Sequence, residues 1–378
     1  MKKIVIAPDS FKGTASASEI CEIGKNAILK HIPDAEIRSL PIADGGEGTA
    51  DCFLFAMGGE KITCRVSGPH FSPVDASYVI IGGDCAIVEI AAAAGLPMAG
   101  EGNNPAKSTS YGVGELISDA LSRGIRKLVL ALGGSCTNDG ACGIAAALGA
   151  RFTDEDGEEF VPVGGTLDRI RRIDISPIQK ELAGIEVVAM CDIDNPLYGE
   201  RGAAYVFAPQ KGADEATVRL LDKNLIAFAD AVSDSLDLDI ASLPGAGAAG
   251  GAGAGAVAFL GAKLCSGIET VLDLCGFEKL AADADLVITG EGRIDGQTTG
   301  GKAISGIALR AKKLGVPVAV IAGDIGDNIE PLYDMGVSFV LSTNRVAKPF
   351  LETKHRAKSD LSLTFDTLAR MINIVCAK

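Results

Sequence analysis

Six short polar turns hold most of the side chains in this sequence that could do chemistry. Each follows an apolar run and combines glycine with carboxylates, amides, hydroxyls or lysine; the turns span residues 8–13, 43–49, 133–140, 192–196, 208–212 and 290–297. Glycine and aspartate occur in any turn or helix cap, but those structures do not require Lys12, Lys211 or Glu291. Together the turns indicate a site that handles phosphate groups, a divalent cation and a small polar substrate.

Two of these turns could bind an oxyanion through backbone N–H groups. The glycines of 45–48 precede a helical pattern at 49–57, and those of 133–134 precede another at 141–148. The first N–H groups of a helix have no intrahelical partner and favour negative charge. Both turns are therefore candidates for contact with phosphate.

The turn at 192–196 could hold a divalent cation. Asp192 and Asp194 follow one predicted strand, and Mg²⁺ prefers one or two carboxylates together with water and phosphate oxygens. We expect Asp192 to face the site, whereas Asp194 could point elsewhere. The metal prediction therefore depends on Asp192.

Two glycine-rich motifs resemble nucleotide-binding signatures but lack the required context. Residues 245–250 match G-x-G-x-x-G, but no convincing strand precedes them, as a dinucleotide site requires. Residues 296–302 nearly match the P-loop pattern, but Ala303 replaces the hydroxyl that binds Mg²⁺ there. Both nucleotide folds are disfavoured, and we expect Lys302 to face phosphate in another kind of loop.

The histidines limit the reactions that the site could perform. The sequence contains His31, His70 and His355, and none of them lies in a polar turn. This disfavours a histidine metal cluster and Ser-His-Asp acyl transfer. Phosphoryl transfer mainly needs positioning and charge neutralisation, plus at most one carboxylate that accepts a hydroxyl proton. It is the reaction that the turns suit best.

Composition excludes several classes of partner. The 378 residues carry a formal net charge of -14, which repels nucleic acids and anionic membranes, so any anion site must be built locally.

The ten cysteines form no C-x-x-C pair, which indicates reduced thiols in a cytoplasmic protein. The first apolar run is too short for a signal peptide. The uncharged stretch 240–262 is mostly glycine and alanine, so we expect no membrane span.

Short β-branched runs alternate with amphipathic helical patterns, which is typical of α/β proteins with largely parallel strands. The clearest helix is at 17–31, where Ser16 and Glu19 form a capping box. The predicted strands are residues 3–7, 37–42, 78–81, 86–91, 127–132, 186–191, 204–207, 285–289, 316–321 and 338–341. These elements carry the polar turns at their carboxyl ends, where open α/β sheets bind ligands.

The length of the chain favours two domains. We predict an α/β fold in which a doubly wound, mostly parallel sheet forms a discontinuous, Rossmann-like domain of residues 1–70 plus 280–378. A second α/β domain of residues 71–279 is inserted in it, because the middle third has longer loops and a glycine- and alanine-rich tract.

Taken in order, the turns resemble those of the bacterial-type (type I) glycerate kinase family. The motifs that carry the similarity are Asp-Gly-Gly-Glu-Gly-Thr at 44–49 and residues 4–13, 133–140, 191–196, 209–212, 244–251 and 289–297. The resemblance implies two α/β domains with the active site in the cleft between them. It also implies transfer of the γ-phosphate of ATP to D-glycerate with Mg²⁺, with 2-phosphoglycerate favoured over 3-phosphoglycerate.

The resemblance further implies which residues form the site. Catalytic roles fall on Asp44, Asp192, Lys211 and Glu291, and both aspartates could also bind the metal. The implied substrate- and phosphate-binding residues are Asp9, Ser10, Lys12, Gly45, Gly46, Glu47, Ser135, Asn138, Asn195, Arg293 and Lys302. Within this set, Lys12 and Lys211 would contact phosphate, and Arg293 or Ser10 would contact the substrate carboxylate.

Three sites depart from the family pattern. Cys136 replaces a usual alanine, Asp324 stands where serine is usual, and His70 with Phe71 replaces a Leu-Gly turn. These departures leave a kinase for another small hydroxy acid as an alternative. A non-enzymatic, acidic α/β ligand-binding module is a second alternative. The expected partners are D-glycerate and ATP, without nucleic acid or membrane, for a cytoplasmic monomer or homodimer.

Overall fold

A computed structural model describes residues 3–43, 45–100, 102–296 and 303–376. The strands in chain order are β1 Lys3–Pro8, β2 Glu36–Ser39, β3 Glu60–Ser67, β4 Pro73–Ile81, β5 Cys85–Glu89, β6 Lys127–Ala131, β7 Arg151–Thr153, β8 Arg172–Asp174, β9 Glu186–Met190, β10 Lys263–Cys265, β11 Leu286–Ile294, β12 Val318–Ile325 and β13 Val337–Ser342. The helices are α1 Ala17–His31, α2 Thr49–Met57, α3 Ala91–Ala94, α4 Leu96–Ala99, α5 Tyr111–Ser122, α6 Cys142–Ala147, α7 Ser176–Glu181, α8 Ala203–Phe207, α9 Glu215–Leu236, α10 Ala248–Leu260, α11 Gly267–Leu274, α12 Phe277–Ala281, α13 Ala303–Leu314, α14 Glu330–Met335, α15 Phe350–Thr353 and α16 Ala357–Cys376.

The chain divides into two compact units. The first consists of Met1–Asp44, Asp51–Met57 and Ile268–Lys378, and the second of Gly45–Ala50 and Gly58–Gly267. The boundaries predicted from sequence were residues 70 and 280. The chain enters the second unit before the first of these and leaves it before the second. The pairing of β3 with β4 along eight residues explains the earlier entry, because it ties 60–67 to the second unit's sheet.

The first unit contains a five-stranded parallel sheet in the order β13-β12-β11-β1-β2. Its strands place Ile4, Ile6 and Ile288 in a core against α1 and α16. The two helices meet at Gly24, where an added Cβ would lie 2.7 Å from the ring of Phe365. The predicted capping box of α1 is confirmed, since the Ser16 side chain accepts from Glu19 N–H and the Glu19 carboxylate accepts from Ser16 N–H.

The second unit contains a six-stranded mixed sheet in the order β10-β9-β6-β5-β4-β3. The strands β10, β9, β6 and β5 run parallel to one another, whereas β4 and β3 are antiparallel to their neighbours. A core of aromatic rings supports the helices, with Phe259 packed against Phe152 and Phe228 at centroid distances of 5.7 and 6.0 Å. The predicted α/β class with mostly parallel sheets is confirmed.

The predicted strand at 204–207 is wrong, because these residues form helix α8. The helix begins after Gly202 and is followed by Pro209, and it buries Ala203 and Ala204 while leaving Tyr205 and Val206 exposed. Alanine at the buried positions allows close packing against α9 and α10. This tertiary packing overrides the β-propensity of the tyrosine, valine and phenylalanine side chains.

The uncharged stretch 240–262 lies inside the second unit. Most of it belongs to α10, whose side chains are almost all buried in the core of that unit. None of the helices in the described ranges combines the length and the apolar character that a membrane span needs. The cysteines from Cys21 to Cys275 are free thiols.

Candidate active site

The carboxyl ends of four parallel strands in the second unit carry several of the predicted site residues. One register row of this sheet joins Glu89, Ala131, Met190 and Cys265, the last residues of β5, β6, β9 and β10. The turn 133–140 begins two residues after Ala131 of this row, and Asp192 lies two residues after Met190. The sheet therefore places these polar groups along one edge, as expected of an α/β ligand site.

The side chain of Lys211 contacts the turn 133–140 and stabilises it through two hydrogen bonds. Its Nζ donates to Ser135 Oγ at 3.0 Å and to the Thr137 carbonyl at 2.7 Å. Both Lys211 and Ser135 are buried, at 4% and 6% exposure. Asn103 strengthens the arrangement, because its Nδ2 donates to the carbonyls of Cys136 and Lys211 at 3.2 and 2.8 Å. Lys211 and Ser135, which were each predicted as site residues, are thus in direct contact.

Burial controls the charge of Lys211. Loss of solvent lowers the pKa of its ammonium group to about 8, although Cys136 and Asp139 act in the opposite direction. Burial also raises the pKa of the Cys136 thiol to about 11, so this thiol carries no charge near neutral pH. The electrostatic effect of Asp139 favours the ammonium form of Lys211. Its Oδ2 accepts from Ser110 N–H at 2.7 Å and from Ser110 Oγ at 2.8 Å, while burial raises the pKa of its carboxyl.

Asn138 occupies the fully buried end of the same turn. Within the described part of the chain its Nδ2 and Oδ1 have no protein hydrogen-bond partner. An unpaired buried amide is costly, so Asn138 is suited to pair with a ligand or with solvent. Thr137 Oγ1 and Asp139 Oδ1 of the same turn also lack a partner among the described residues. The backbone of Asn138 packs closely against Gly250. A Cβ on Gly250 would lie 2.5 Å from Asn138 Cα, so this glycine cannot be replaced without backbone movement.

The glycine-rich tract 245–255 packs against this turn. A Cβ added to Gly250 would lie 2.2 Å from the Thr137 carbonyl oxygen, and one on Gly255 would lie 1.9 Å from the Gly140 carbonyl oxygen. The glycines thus let α10 approach the turn backbone to backbone, which agrees with the sequence argument against a dinucleotide site there.

The turn that contains Gly45 and Gly46 lies against the turn after β6. Gly133 N–H donates to the Gly45 carbonyl at 2.9 Å, and a Cβ on Gly133 would lie 2.5 Å from Gly46 Cα. Glu47 is exposed at the outer side of this turn. Glycine is needed at residue 48, whose φ of +91° falls in the left-handed region.

Glu89 binds the amino end of α2 and was not among the site residues predicted from the sequence. Its carboxylate accepts from Gly48 N–H at 3.3 Å and from Ala50 N–H at 2.7 Å. Part of the predicted oxyanion cradle is therefore occupied by a protein carboxylate. The sequence did offer an indication, because Glu89 is the sole charged residue of the apolar run 85–100.

Asp192 is exposed but held in place by two hydrogen bonds. Its Oδ1 accepts from Ser266 Oγ at 2.7 Å and from Gly267 N–H at 2.8 Å. Asp194 forms an exposed ion pair with Arg201 at 3.3 Å, so the two aspartates have different partners.

Asn195 has a structural task in the same loop. Its Nδ2 donates to the Arg201 carbonyl at 2.7 Å, and its own carbonyl accepts from Gly247 N–H at 3.0 Å. Substrate binding by Asn195 stays a prediction, and this amide donor is already engaged.

The first unit collects a second set of predicted residues at the carboxyl ends of β1, β11 and β12. Asp9 N–H donates to the Gly290 carbonyl at 2.8 Å, and Ser10 N–H donates to Asp9 Oδ1 at 2.6 Å. Lys12 follows in the same turn and is exposed, whereas Glu291 near the end of β11 is half-buried.

Arg293 lies on β11 beside Asp324 of β12, its register partner. Its exposed guanidinium Nε lies 3.9 Å from Asp324 Oδ2 and 3.6 Å from Asp295 Oδ2. The aspartate that departs from the family pattern thus neighbours the arginine expected to contact the substrate carboxylate.

Asp44 and Lys302 lie outside the described residues. Among the residues that are described, no group of three or more His, Cys, Asp or Glu side chains forms a metal site. A single carboxylate such as Asp192 fits the donor set of Mg²⁺, which takes its remaining ligands from water and phosphate.

Both units are α/β folds that carry polar groups at the carboxyl ends of parallel strands, where sheets of this kind bind ligands. The model of the glycerate kinase family matches residues 4–373. The chain is 45% identical over 344 residues to a glycerate kinase of Halalkalibacterium halodurans, covering 90% of each protein. It is also 44% identical over 342 residues to a glycerate 2-kinase of Escherichia coli K12, again covering 90% of each.

A solved structure shows the same fold. The chain superposes on a crystal structure from Salmonella typhimurium LT2, described as a glycerate kinase 2, with a TM-score of 0.89, 39% identity and full coverage of both chains. The protein belongs to the glycerate kinase family, as its turns indicated, and is therefore a kinase. Membership of this family disfavours the non-enzymatic binding module.

Proposed function

We propose that this protein transfers the γ-phosphate of ATP to D-glycerate and forms 2-phosphoglycerate, with Mg²⁺ as cofactor. The main structural support is the buried Lys211 that donates to Ser135 at the carboxyl edge of the second sheet. An ammonium group and a hydroxyl beside a glycine-rich turn suit the oxygens of a phosphate. The relative named glycerate 2-kinase supports the 2-position of the product.

Lys211 supplies positive charge without itself being exposed. Because Ser135 Oγ accepts a hydrogen bond from Lys211 Nζ, its own hydroxyl hydrogen is available for another acceptor. Ser135 would donate this hydrogen to a phosphate oxygen, and the nearby ammonium charge would offset the charge of the phosphate. Gly133 and Gly134 let the backbone of the turn approach the same group.

Asp192 is our proposed base or metal-side carboxylate. Ser266 and Gly267 fix its Oδ1, so the orientation of the carboxylate does not depend on a ligand. Phosphoryl transfer requires one group to accept the proton of the glycerate hydroxyl, and a solvent-exposed carboxylate can do so. Mg²⁺, when bound, would neutralise charge on the transferred phosphate.

The residues of the first unit would act on the rest of the two substrates. Lys12 is exposed and suits a phosphate, whereas Arg293 or Ser10 suits the carboxylate of glycerate. The location of the site in a cleft between two domains stays a prediction, as do the cytoplasmic location and a monomeric or homodimeric state.

A coupled assay of ADP release tests the proposal. With Mg-ATP and folded protein, D-glycerate should stimulate ADP release well above the background without acceptor, and L-glycerate should not. The ³¹P NMR spectrum of the product then identifies the acceptor oxygen. Phosphate on the 2-oxygen is split by one proton into a doublet, whereas phosphate on the 3-oxygen is split by two into a triplet. Background turnover with D-glycerate would refute the proposal, and a triplet would refute its regiochemistry.

One observation favours a second candidate, a kinase for another small hydroxy acid. Asp324 competes with any substrate carboxylate for the guanidinium of Arg293, since the two side chains lie 3.9 Å apart. A panel of hydroxy acids assayed at equal concentration decides between the candidates. A kcat/KM for D-glycerate higher than for every other acid would remove the second candidate.

A further inference from the structure

Glu89 is a buried carboxylate that no part of the proposed reaction uses. It is the last residue of β5 and is 8% exposed. Its Oε2 accepts from Gly48 N–H and its Oε1 from Ala50 N–H, at 3.3 and 2.7 Å. A carboxylate buried in a core element is rare unless it is paired with donors of this kind.

The partners of Glu89 lie at the amino end of α2, where an anion is favoured. The first N–H groups of a helix lack intrahelical partners and carry partial positive charge. A ligand phosphate would normally compete for such groups. Because Glu89 binds two of them, the turn 45–50 is fixed by the protein itself, before any ligand arrives.

Two other contacts hold the same turn from different sides. Thr49 Oγ1 donates to the Gly46 carbonyl at 2.6 Å, and Gly133 N–H donates to the Gly45 carbonyl at 2.9 Å. Between these fixed points lies the exposed Glu47. The position of the Glu47 carboxylate therefore depends on contacts that Glu89 completes.

We infer that Glu89 is a positioning residue for phosphoryl transfer, which holds the turn 45–50 so that Glu47 and the neighbouring backbone meet the substrates in reactive geometry. The inference rests on the proposed function. Glu89 touches no reacting atom in this scheme and acts through the turn. A small displacement of a catalytic loop costs rate more than binding, so the loss should appear mainly in kcat.

The substitution Glu89→Gln tests this role. The glutamine keeps one acceptor oxygen and places an NH₂ group against the other backbone N–H, which loosens the turn without adding volume. We expect kcat with D-glycerate to fall about 10- to 100-fold, with the KM for ATP changed by less than about threefold. Hydrogen–deuterium exchange should rise in the peptide that covers 45–50 and stay unchanged in the strands of the sheet.

Glu115→Gln is the matched control. Glu115 also accepts a backbone hydrogen bond, from Ser67 N–H at 2.6 Å, but it lies on α5 away from the turn. The Glu115→Gln variant should lose stability, but its kcat should not fall and hydrogen–deuterium exchange at 45–50 should not become faster. Equal losses of kcat in the two glutamine variants would overturn the inference, because they would show a general structural effect.

A second variant covers the case in which Glu89→Gln does not fold. Thr49→Val removes the hydroxyl bond to Gly46 with little change of shape, so it loosens the same turn from the other side. It should also lower kcat and speed exchange at 45–50. Faster exchange with wild-type kcat would contradict the positioning role, and so would unchanged exchange. A wild-type protein that is inactive with D-glycerate would instead refute the proposed function.

Discussion

Gly133 donates its backbone N–H to the carbonyl oxygen of Gly45 at 2.9 Å, which joins the turn after β6 to the turn before α2. The contact is so close that a Cβ on Gly133 would lie 2.5 Å from Gly46 Cα. Two segments that are almost ninety residues apart thereby form one backbone surface. This surface contains Gly45, Gly46 and Ser135, which the sequence had placed in a site.

Gly133→Ala should therefore separate the two turns. The added methyl group cannot be accommodated without backbone movement, and we expect kcat/KM for D-glycerate to fall at least about 100-fold. Gly184→Ala is the control, because Gly184 has a φ of +83° with nothing within 4 Å of an added Cβ. It should cost about 1 kcal/mol of stability through backbone strain with kcat/KM unchanged. Steady-state kinetics and thermal melting of both variants check this prediction, and a fully active Gly133→Ala protein would contradict it.

Removal of the Ser135 hydroxyl should affect the same step as removal of the Lys211 charge. We expect Ser135→Ala to lower kcat/KM about 10-fold or more, and Lys211→Met to lower it further. If Lys211 acts partly through Ser135, the double variant should lose less than the two single losses combined. Steady-state kinetics of the four proteins give the coupling. Strict additivity would show that the hydrogen bond between them does not matter for turnover.

The protonation of Lys211 should limit activity in alkaline solution. Its pKa is lowered to about 8 by burial, so kcat/KM should fall with the loss of one proton as the pH rises through 8. The charged groups that act on Lys211 are Asp139 and, once ionised, Cys136. The pH–rate profile of Lys211→Met should lack this fall. An unchanged alkaline limb in that variant would assign it to another group.

The lowered pKa of Lys211 affects stability in the opposite direction to activity. The unfolded chain holds the Lys211 proton up to its ordinary pKa of 10.5, whereas the folded protein releases it near 8. The unfolded state therefore binds more protons between these values, and this group's contribution to the free energy of unfolding rises with pH there. Denaturant unfolding of wild type minus Lys211→Met, measured at pH 7 and at pH 9.5, should show that increase.

Asp192→Asn should abolish most activity without unfolding the protein. Asparagine retains an oxygen that can accept from Ser266 Oγ and Gly267 N–H, but it cannot accept a proton and binds Mg²⁺ poorly. We expect kcat to fall about 100-fold or more. Asp194→Asn is the matched control, since Asp194 pairs only with the exposed Arg201 among the described residues, and exposed pairs contribute little. Similar kinetics in the two variants would refute the role of Asp192.

The sequence predicted the parts of the site that depend on local pattern. Polar turns at strand ends and the capping box at Ser16 follow from short-range periodicity and turn chemistry. The interpretation of 245–250 as something other than a dinucleotide site also followed from its local context.

Long-range packing explains what the sequence did not predict. Strand β3 was not anticipated, because it lies at the edge of the sheet and depends on its pairing with β4. Residues 204–207 became a helix because of the alanines packed against α9 and α10. Glu89 was overlooked because its partners, Gly48 and Ala50, lie about forty residues earlier in the chain.

The discontinuity of the first unit has a consequence for synthesis of the protein on the ribosome. Strand β1 pairs with β11, which is not made until residue 294, whereas the second sheet is complete once β10 ends at Cys265. The second unit can therefore fold during translation while β1, α1 and β2 still lack their central partner. Exposed strand edges of this kind favour association with other chains. We therefore expect the amino-terminal segment of the nascent chain to expose an unpaired strand edge until β11 is made.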